Sequence, residues 1–489
     1  MFRYHFIDDV EIQESEANVA IITPYESSLS FARQEIHLKS PSSTMKSVIR
    51  SLCAEGVVVE RYLHDNSESC SPEFQLMLQL KLNQFEAKGL LVKELLGEQG
   101  LVMSLHPSSH GNRQFTLPQD RFTVKLSNYL SIVPQHDSLE LCTPISTSTL
   151  KVFDDRLFKL ITYLTTPRTP EDIQGVLPSD LHDQYVDVIA LLLQSGVAGC
   201  CDSNGNADVD LGLLKSGWNK EDLLFHFKTR RDSVKFEYEE SGHGNQEHCP
   251  PAVHHIKLPI KRIKLPSPRP LQQSAQRGFF DVVDQRKTIR AFGLEPVHID
   301  QISTLLWYSL RTKRELTIDP SLPRAYQGSQ KPSASAGSLH PIELYLCVKR
   351  CIGLGDGLYH YDSLSHQLDM ISELNIDCLK MLNLSKVTTC SSPQHQSVSI
   401  GKGQEPDVLM IMAARYERSS YLHSKSGLAY ALILKDAGSL YQQLYLVSTA
   451  LGLAPCGLSF GSQELFEKAS GIAVQSQCSV GEFMIGTVG

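Results

Sequence analysis

Apolar residues recur at helical spacing in two separate stretches of the N-terminal half. MKSVIRSLC puts Met45, Ile49, Leu52 and Cys53 on one helical face, and LNQFEAKGLL sets Leu82, Phe85 and Leu90 around Gly89. The pattern returns in FDDRLFKLI, with Phe153, Leu157, Leu160 and Ile161, and in IALLLQSGVA, with Ile189, Leu192 and Val197 around Gly196. Met45 to Phe153 is 108 residues and Gly89 to Gly196 is 107, so the two stretches read as copies. Spacings of i, i+4 and i+7 predict helices with one buried stripe, and glycine enters the left-handed conformation that ends a helix at low cost. The extended runs SLSFARQEIHL and DSLELCTPI precede the helix pairs. Each copy is therefore expected to be a hairpin followed by helices, a winged-helix-like module, over residues 1–105 and 106–215. The alternative is one α+β domain containing two unrelated amphipathic pairs.

WNKEDLLFHFKTRR, residues 218–231, predicts a further helix, with Asn219 as its cap, Glu221 and Asp222 near the positive end and His226 as a satisfied core histidine. The chain then becomes proline-punctuated and basic, through VHHIKLPIKRIKLPSPRP, which excludes regular helix and predicts an extended linker within 216–275. From 276 to 489 the apolar runs IELYLCV and VLMIMAA alternate with the helical patterns IDQISTLLWYSL and AGSLYQQLYLVSTALGL. In the last of these, Leu440, Leu444, Val447 and Leu451 form a stripe. This region is expected to be an α+β or α/β domain.

Composition narrows the function classes. A net charge of −8 offers no basic field for a polyanion, so nucleic acid is not an expected partner. No apolar run is long enough to span a membrane, and the opening MFRYHFIDDVEI lacks the pattern of a secretory signal, so a cytoplasmic location is expected. The 12 cysteines are scattered with no C-x-x-C pair or zinc-ligand spacing, which predicts reduced thiols and no metal site; the adjacent His254 and His255 find no second ligand pair.

Three segments carry candidate chemistry. In QRKTIRAF, Arg286, Thr288 and Arg290 share one side of an extended segment and, with Lys287, form a candidate phosphate clamp. PSASAGSLHPIELYL, through Ser333, Ser335, Ala336 and Gly337, carries almost no side-chain bulk, so a flat ligand can approach its backbone. A small-residue turn at 452–461, with Pro455, Cys456 and Gly457, offers a third close approach.

In this order the three segments resemble the flavin-dependent nitroreductase fold, and within it the SagB-type dehydrogenases that oxidise azoline rings in ribosomally made peptides. RKTIRAF is similar to the R-x-S-x-R-x-F motif that holds the FMN phosphate, PSASAGSLHPIELYL to the segment beside the flavin ring, and APCG to the turn near its N5 edge. WNKEDLLFHFKTRR resembles the helix that precedes this domain in SagB-type proteins. The N-terminal repeats resemble PqqD-like leader-binding domains, and the whole arrangement resembles the cyanobactin oxidases. The resemblance implies two PqqD-like modules followed by an FMN-binding nitroreductase-like α/β domain, FMN as cofactor, and a homodimer. Its implied partner is a heterocyclised precursor peptide, leader plus azoline core, captured by strand addition.

It also implies a basic residue before the helix that begins at KDAG. The family's K-Y-G-x-R-x-Y pattern meets HSKSGLAY here. Lys425 stands within one position of the family lysine, while Ser426 or Lys425 itself falls in the tyrosine slot, leaving Tyr421 or Tyr430 to supply a phenol. On this reading a neutral lysine removes the ring proton while flavin accepts a hydride. An NAD(P)H-dependent nitro or quinone reductase, and a leader-binding scaffold with a vestigial flavin domain, are the alternatives.

Overall fold

The computed structural model describes residues 1–8, 10–15, 18–27, 30–67, 70–107, 118, 121–144, 146, 148–229, 248–268, 278–317, 325–390, 406–423, 427–458 and 461–489. The chain divides into two compact units, Met1–Lys235 and Phe236–Gly489. Among the described residues no helix is long and apolar enough to cross a membrane.

In the first unit both periodic stretches are helical where the stripes predict. Helix Ser43–Ala54 is capped by Ser42 and buries Met45, Val48, Ile49 and Leu52. Cys53, expected on that stripe, is exposed, because Val48 and not Cys53 completes the buried face. Helix Pro72–Ala87 buries Leu82 and Phe85 and ends before Gly89, whose φ of 70° is left-handed. In the second stretch Phe153 lies ahead of the helix, because Asp154 accepts from Arg156 N and starts a 3-10 turn; helix Phe158–Tyr163 follows. Helix Tyr185–Gln194 buries Ile189 and Leu192, and Gly196 has a φ of 74°.

The extended runs also form strands, Ser30–Lys39 and Leu139–Cys142. Strand Gly100–Pro107 crosses the expected 105/106 division and pairs antiparallel with Ser148–Val152, Met103 opposite Val152 and Leu105 opposite Leu150. The two segments thus contribute strands to one seven-stranded antiparallel sheet while keeping separate cores, one around Ile49, Leu52, Leu82 and Phe85, the other around Leu150, Leu160, Ile189 and Leu192. Helix Lys220–Lys228 is capped as expected, Asn219 accepting from Asp222 N.

The second unit is built on a seven-stranded sheet in the order Lys261–Lys264, Gln367–Ser372, Gly357–Asp362, Ile342–Val348, Val408–Ala414, Cys478–Thr487, Leu453–Leu458. Every pairing in this sheet is antiparallel, so the domain is α+β and not the α/β arrangement the resemblance suggested. The central strands Ile342–Val348 and Val408–Ala414 are buried at every position, which is why they read as continuous apolar runs rather than alternating ones. Leu344, Leu346, Val408 and Met410 pack toward helices Ile299–Leu310 and Leu428–Ala450. Tyr345, Cys347, Leu409 and Ile411 face the opposite core with Met381 and Phe466.

The stretch expected as a solvated linker is partly structural. Lys261–Lys264 is an edge strand against Gln367–Met370, and its outward lysines and arginine are the charges that deter further pairing. Upstream, Ala252 and Val253 are buried. Arg415 donates to the carbonyls of Pro251 and Ala252, at 2.7 and 2.9 Å, and Arg418 to that of Pro250.

Candidate functional site

The long helix Leu428–Ala450 organises the candidate residues, through Tyr445 on one side and Asp436 on the other. Tyr445 Oη hydrogen-bonds Thr288 Oγ1 at 3.0 Å and accepts from Gly457 N at 2.7 Å. The Arg286 guanidinium stands 5.3 Å from the Tyr445 ring centre, and Ile289 N donates to Pro455 O at 2.9 Å. Arg286 and Thr288 therefore face one phenol, and the QRKTIRAF segment lies against the chain at 455–457. Among the described residues no carboxylate pairs with Arg286, Lys287 or Arg290.

Residues 455–457 are not the expected turn. They lie in edge strand Leu453–Leu458, paired with Cys478–Thr487, after Gly452 reverses the chain with a φ of 70°. Cys456 points into the core, and the Gly457 amide is taken by Tyr445. A Cβ at Gly457 would meet the Tyr441 and Tyr445 rings at 3.1–3.2 Å, so the two rings pack tightly over this glycine and a larger residue would press on them.

Asp436 holds the small-residue loop. Its carboxylate accepts from Ser335 Oγ at 2.5 Å and Ala336 N at 3.1 Å, Ala334 N donates to Ser439 Oγ at 3.1 Å, and His340 N donates to Ser335 Oγ at 2.9 Å. Burial raises the Asp436 pKa against the opposing effect of Ser335 and Ala336. Two of the loop amides expected to meet a ligand are thus engaged by the helix, while Ala334 and Gly337 are exposed. Gly337 takes a left-handed φ of 59°, and Tyr326 Oη donates to its carbonyl at 2.7 Å. Ser333, Ser335, His340 and Asp436 line a shallow depression floored by Leu310 and Leu440.

Asp436 and Tyr445 are nine residues apart, about two and a half turns and roughly 14 Å along the axis, so they project from opposite faces of the helix. One chain therefore does not bring the Arg286–Arg290 cluster and the Ser333–Gly337 loop together.

Behind the loop is a buried charge group. Glu343, in the central strand, lies 2.9 Å from Arg415 Nη2 and 3.1 Å from His360 Nε2. Burial alone would raise its carboxyl, but Arg415 and His360 outweigh that and hold it well below the usual carboxylate range. Arg418, fully buried, donates to the carbonyls of Leu339 and Gln327 at 2.9 and 2.8 Å, tying both ends of the loop region to one side chain. Lys331, 6% exposed, lies at the start of the same loop.

Of the expected catalytic residues, Lys425 lies outside the described residues. Tyr421 is buried, its phenol 3.4 Å from the carbonyl of Ala325, the residue before Tyr326. Tyr430 is 38% exposed in the first turn of the long helix, and its pKa is raised by burial and by Cys478. Asp436, Tyr445, Glu343 and Lys331 were not anticipated. Two of them carried a signal: Asp436 continues the buried stripe of Leu440 and Leu444 one turn upstream, and Glu343 interrupts an apolar run. A carboxylate at a core position conflicts with its surroundings, and such conflicts collect at functional sites.

Residues 283–487 match the Nitroreductase family. The C-terminal half carries a nitroreductase-like domain. Over 176 residues the chain is 24% identical to MJ1384 of Methanocaldococcus jannaschii, whose name describes a nitroreductase, covering 35% of this chain and 74% of that one. Over 152 residues it is 25% identical to the microcin B17-processing protein McbC of Escherichia coli, covering 30% of this chain; it spans 50% of that relative's length. Similar solved structures include a nitroreductase with bound FMN from Desulfitobacterium hafniense, at 11% identity, 43% and 88% coverage of this and that chain, and a TM-score of 0.27. Another is the E. coli microcin synthetase McbBCD complex with truncated pro-MccB17 bound, at 20% identity, 42% and 70% coverage, and a TM-score of 0.31.

Proposed function

We propose that this protein is an FMN-dependent oxidase that converts thiazoline or oxazoline rings of a ribosomally made peptide to thiazoles or oxazoles. The observation that carries the cofactor half is the cationic segment Arg286, Lys287 and Arg290, without a carboxylate partner among the described residues and set beside the Tyr445 phenol and the close approach at Gly457. This donor set suits a phosphate dianion. In this reading the cluster holds the phosphate, and the Ser333–Gly337 loop borders the ring. Bound flavin supplies a two-electron acceptor for the hydride of the substrate ring. The chain positions the ring and handles the proton, a role the resemblance gives to Lys425 with Tyr421 or Tyr430. The peptide half of the reading is supported by the match to a relative named for processing microcin B17.

The opposite-facing halves of the site favour a homodimer in which the phosphate cluster of one protomer meets the loop of its partner. Phe279 and Phe280, 66% and 79% exposed just ahead of the cluster, supply an apolar surface for that contact. The N-terminal modules, in their PqqD-like reading, bind the leader segment. A nicotinamide-driven nitro or quinone reductase is the second reading, favoured by the family match itself.

The test is to incubate the FMN-loaded protein with a heterocyclised peptide and follow its mass. Loss of two hydrogens per ring supports the oxidase. An unchanged peptide, together with flavin bleaching by NAD(P)H in its absence, favours the reductase. A protein that takes up no FMN refutes both enzyme readings.

A further inference from the structure

The sheet of the second unit ends in two edges, and they differ. At one, Leu453–Leu458 is met by the Arg286–Arg290 segment, through the bond from Ile289 N to Pro455 O. At the other, strand Lys261–Lys264 pairs inward with Gln367–Met370 and, among the described residues, has no backbone partner on its outer side. Leu265 N donates to His366 O, and backbone groups alternate in direction along a strand, so the amides and carbonyls of Arg262 and Lys264 point away from the sheet.

The chemistry of this edge departs from that of the chain as a whole. The protein carries a net charge of −8, yet residues 257–264, KLPIKRIK, hold four basic side chains and no acidic one. Lys257, Lys261, Arg262 and Lys264 are all exposed. Arg262 has a carboxylate in reach, Asp369 at 3.6 Å on the paired strand, and donates to Ile256 O at 3.2 Å. Among the described residues no carboxylate pairs with the three lysines. Beside them Leu258 is 94% exposed and Ile260 63%. An open ladder, a row of cations and two aliphatic side chains in water thus fall on eight consecutive residues. Backbone bonds supply affinity and side-chain contacts supply selectivity when an extended chain adds to a sheet.

The charges select the occupant. A second copy of this strand on the same edge would set like charges opposite one another, which is destabilising. A strand with carboxylates at alternate positions sets opposite charges across the pair, because Arg262 and Lys264 project to one face and acidic residues two apart meet both. A nucleic acid supplies anions but cannot extend a peptide ladder.

We propose that the outer edge of Lys261–Lys264 is a docking site for an acidic, extended polypeptide segment, bound as an added strand with its carboxylates against Lys261, Arg262 and Lys264 and an apolar side chain against Leu258 and Ile260. The inference stands on this edge and is independent of the flavin reading.

The test uses the full chain and a short fluorescein-labelled peptide alternating glutamate with valine. Anisotropy should report saturable binding that weakens as salt is raised, because the charges involved are exposed. The K261E/K264E double variant should bind roughly tenfold more weakly or worse, since attractive cross-strand pairs become repulsive, with an unchanged urea midpoint. A peptide whose central valine is replaced by proline should lose binding to a similar degree, because proline cannot donate to a ladder. Hydrogen exchange resolved to single amides locates the site: Arg262 and Lys264 should slow when the peptide is added. Unchanged exchange at both overturns the inference, as does equal binding by K261E/K264E, by the proline peptide, or of a peptide with lysine in place of glutamate. If the double variant does not fold, K264E and the exchange data still decide. Phosphatidylserine vesicles supply the last arm, and vesicle capture lost in K261E/K264E without any peptide binding would make the strip a membrane contact and overturn the proposal.

Discussion

Replacing Tyr445 by phenylalanine removes one oxygen and keeps the ring in place. That oxygen bonds Thr288 Oγ1 at 3.0 Å and accepts from Gly457 N at 2.7 Å, so it bridges the two segments of the proposed phosphate site alongside the bond from Ile289 N to Pro455 O. Each hydrogen bond contributes about 1 kcal/mol net, and an amide left without an acceptor adds about 1 kcal/mol or more. The expected cost is about 2–3 kcal/mol, the lower part of the range because Tyr445 is only half-buried. For a domain of this size that lowers the melting temperature by roughly 4–10 °C. If the tie organises the phosphate site, FMN affinity falls by roughly 30- to 100-fold, at about 1.4 kcal/mol per tenfold. Calorimetry of the FMN-free protein measures the first effect and flavin fluorescence titration the second. A Y445F protein that melts within about 1 °C of wild type and binds FMN within twofold refutes the role.

Three further outcomes are expected. Glu482 is 2% exposed, and burial raises its pKa from 4.5 to about 7 against the opposing Ser462 amide. The folded state therefore holds this proton longer than the unfolded chain, so the Glu482 contribution to stability is fully present below pH 4.5 and is lost, by roughly 3 kcal/mol, as pH rises through about 7. Urea unfolding of E482Q at pH 5 and pH 8 should show that decline removed, and an identical decline in both proteins counts against it. R418M leaves three backbone carbonyls without their donor and should lose about 3 kcal/mol or more, with R418K recovering only part; an unchanged urea midpoint contradicts the assignment. F280D should give a monomer by light scattering, with weakened FMN binding but an unchanged unfolding transition, and a dimer that still binds FMN normally argues against the two-copy site.

Much of the second unit was legible from local pattern. IDQISTLLWYSL is helix Ile299–Leu310, residue for residue, because its apolar spacing and its His298 cap act over one or two turns. IELYLCV and VLMIMAA are strands covered on both faces, which their unbroken apolar character already required. Legibility failed where partners are distant in sequence. Lys261–Lys264 reads as linker because its pairing partner stands about a hundred residues downstream. Residues 455–457 read as a turn because strand Cys478–Thr487, which satisfies their backbone, is invisible locally.

The same division runs through the site. Residue type and spacing alone nominated Arg286, Thr288, the Ser333–Gly337 loop and Gly457 as places for an anion or a flat ring to approach, because small and cationic side chains carry that chemistry wherever they are placed. Only the tertiary structure decided that two of the loop's amides are taken by the long helix, one by Asp436 and one by Ser439, that Tyr445 joins Thr288 to Gly457, and that the two groups face away from each other across one helix. Periodicity and composition depend on near neighbours, whereas hydrogen-bond partners, desolvation and the face a residue occupies depend on what the folded chain packs against it.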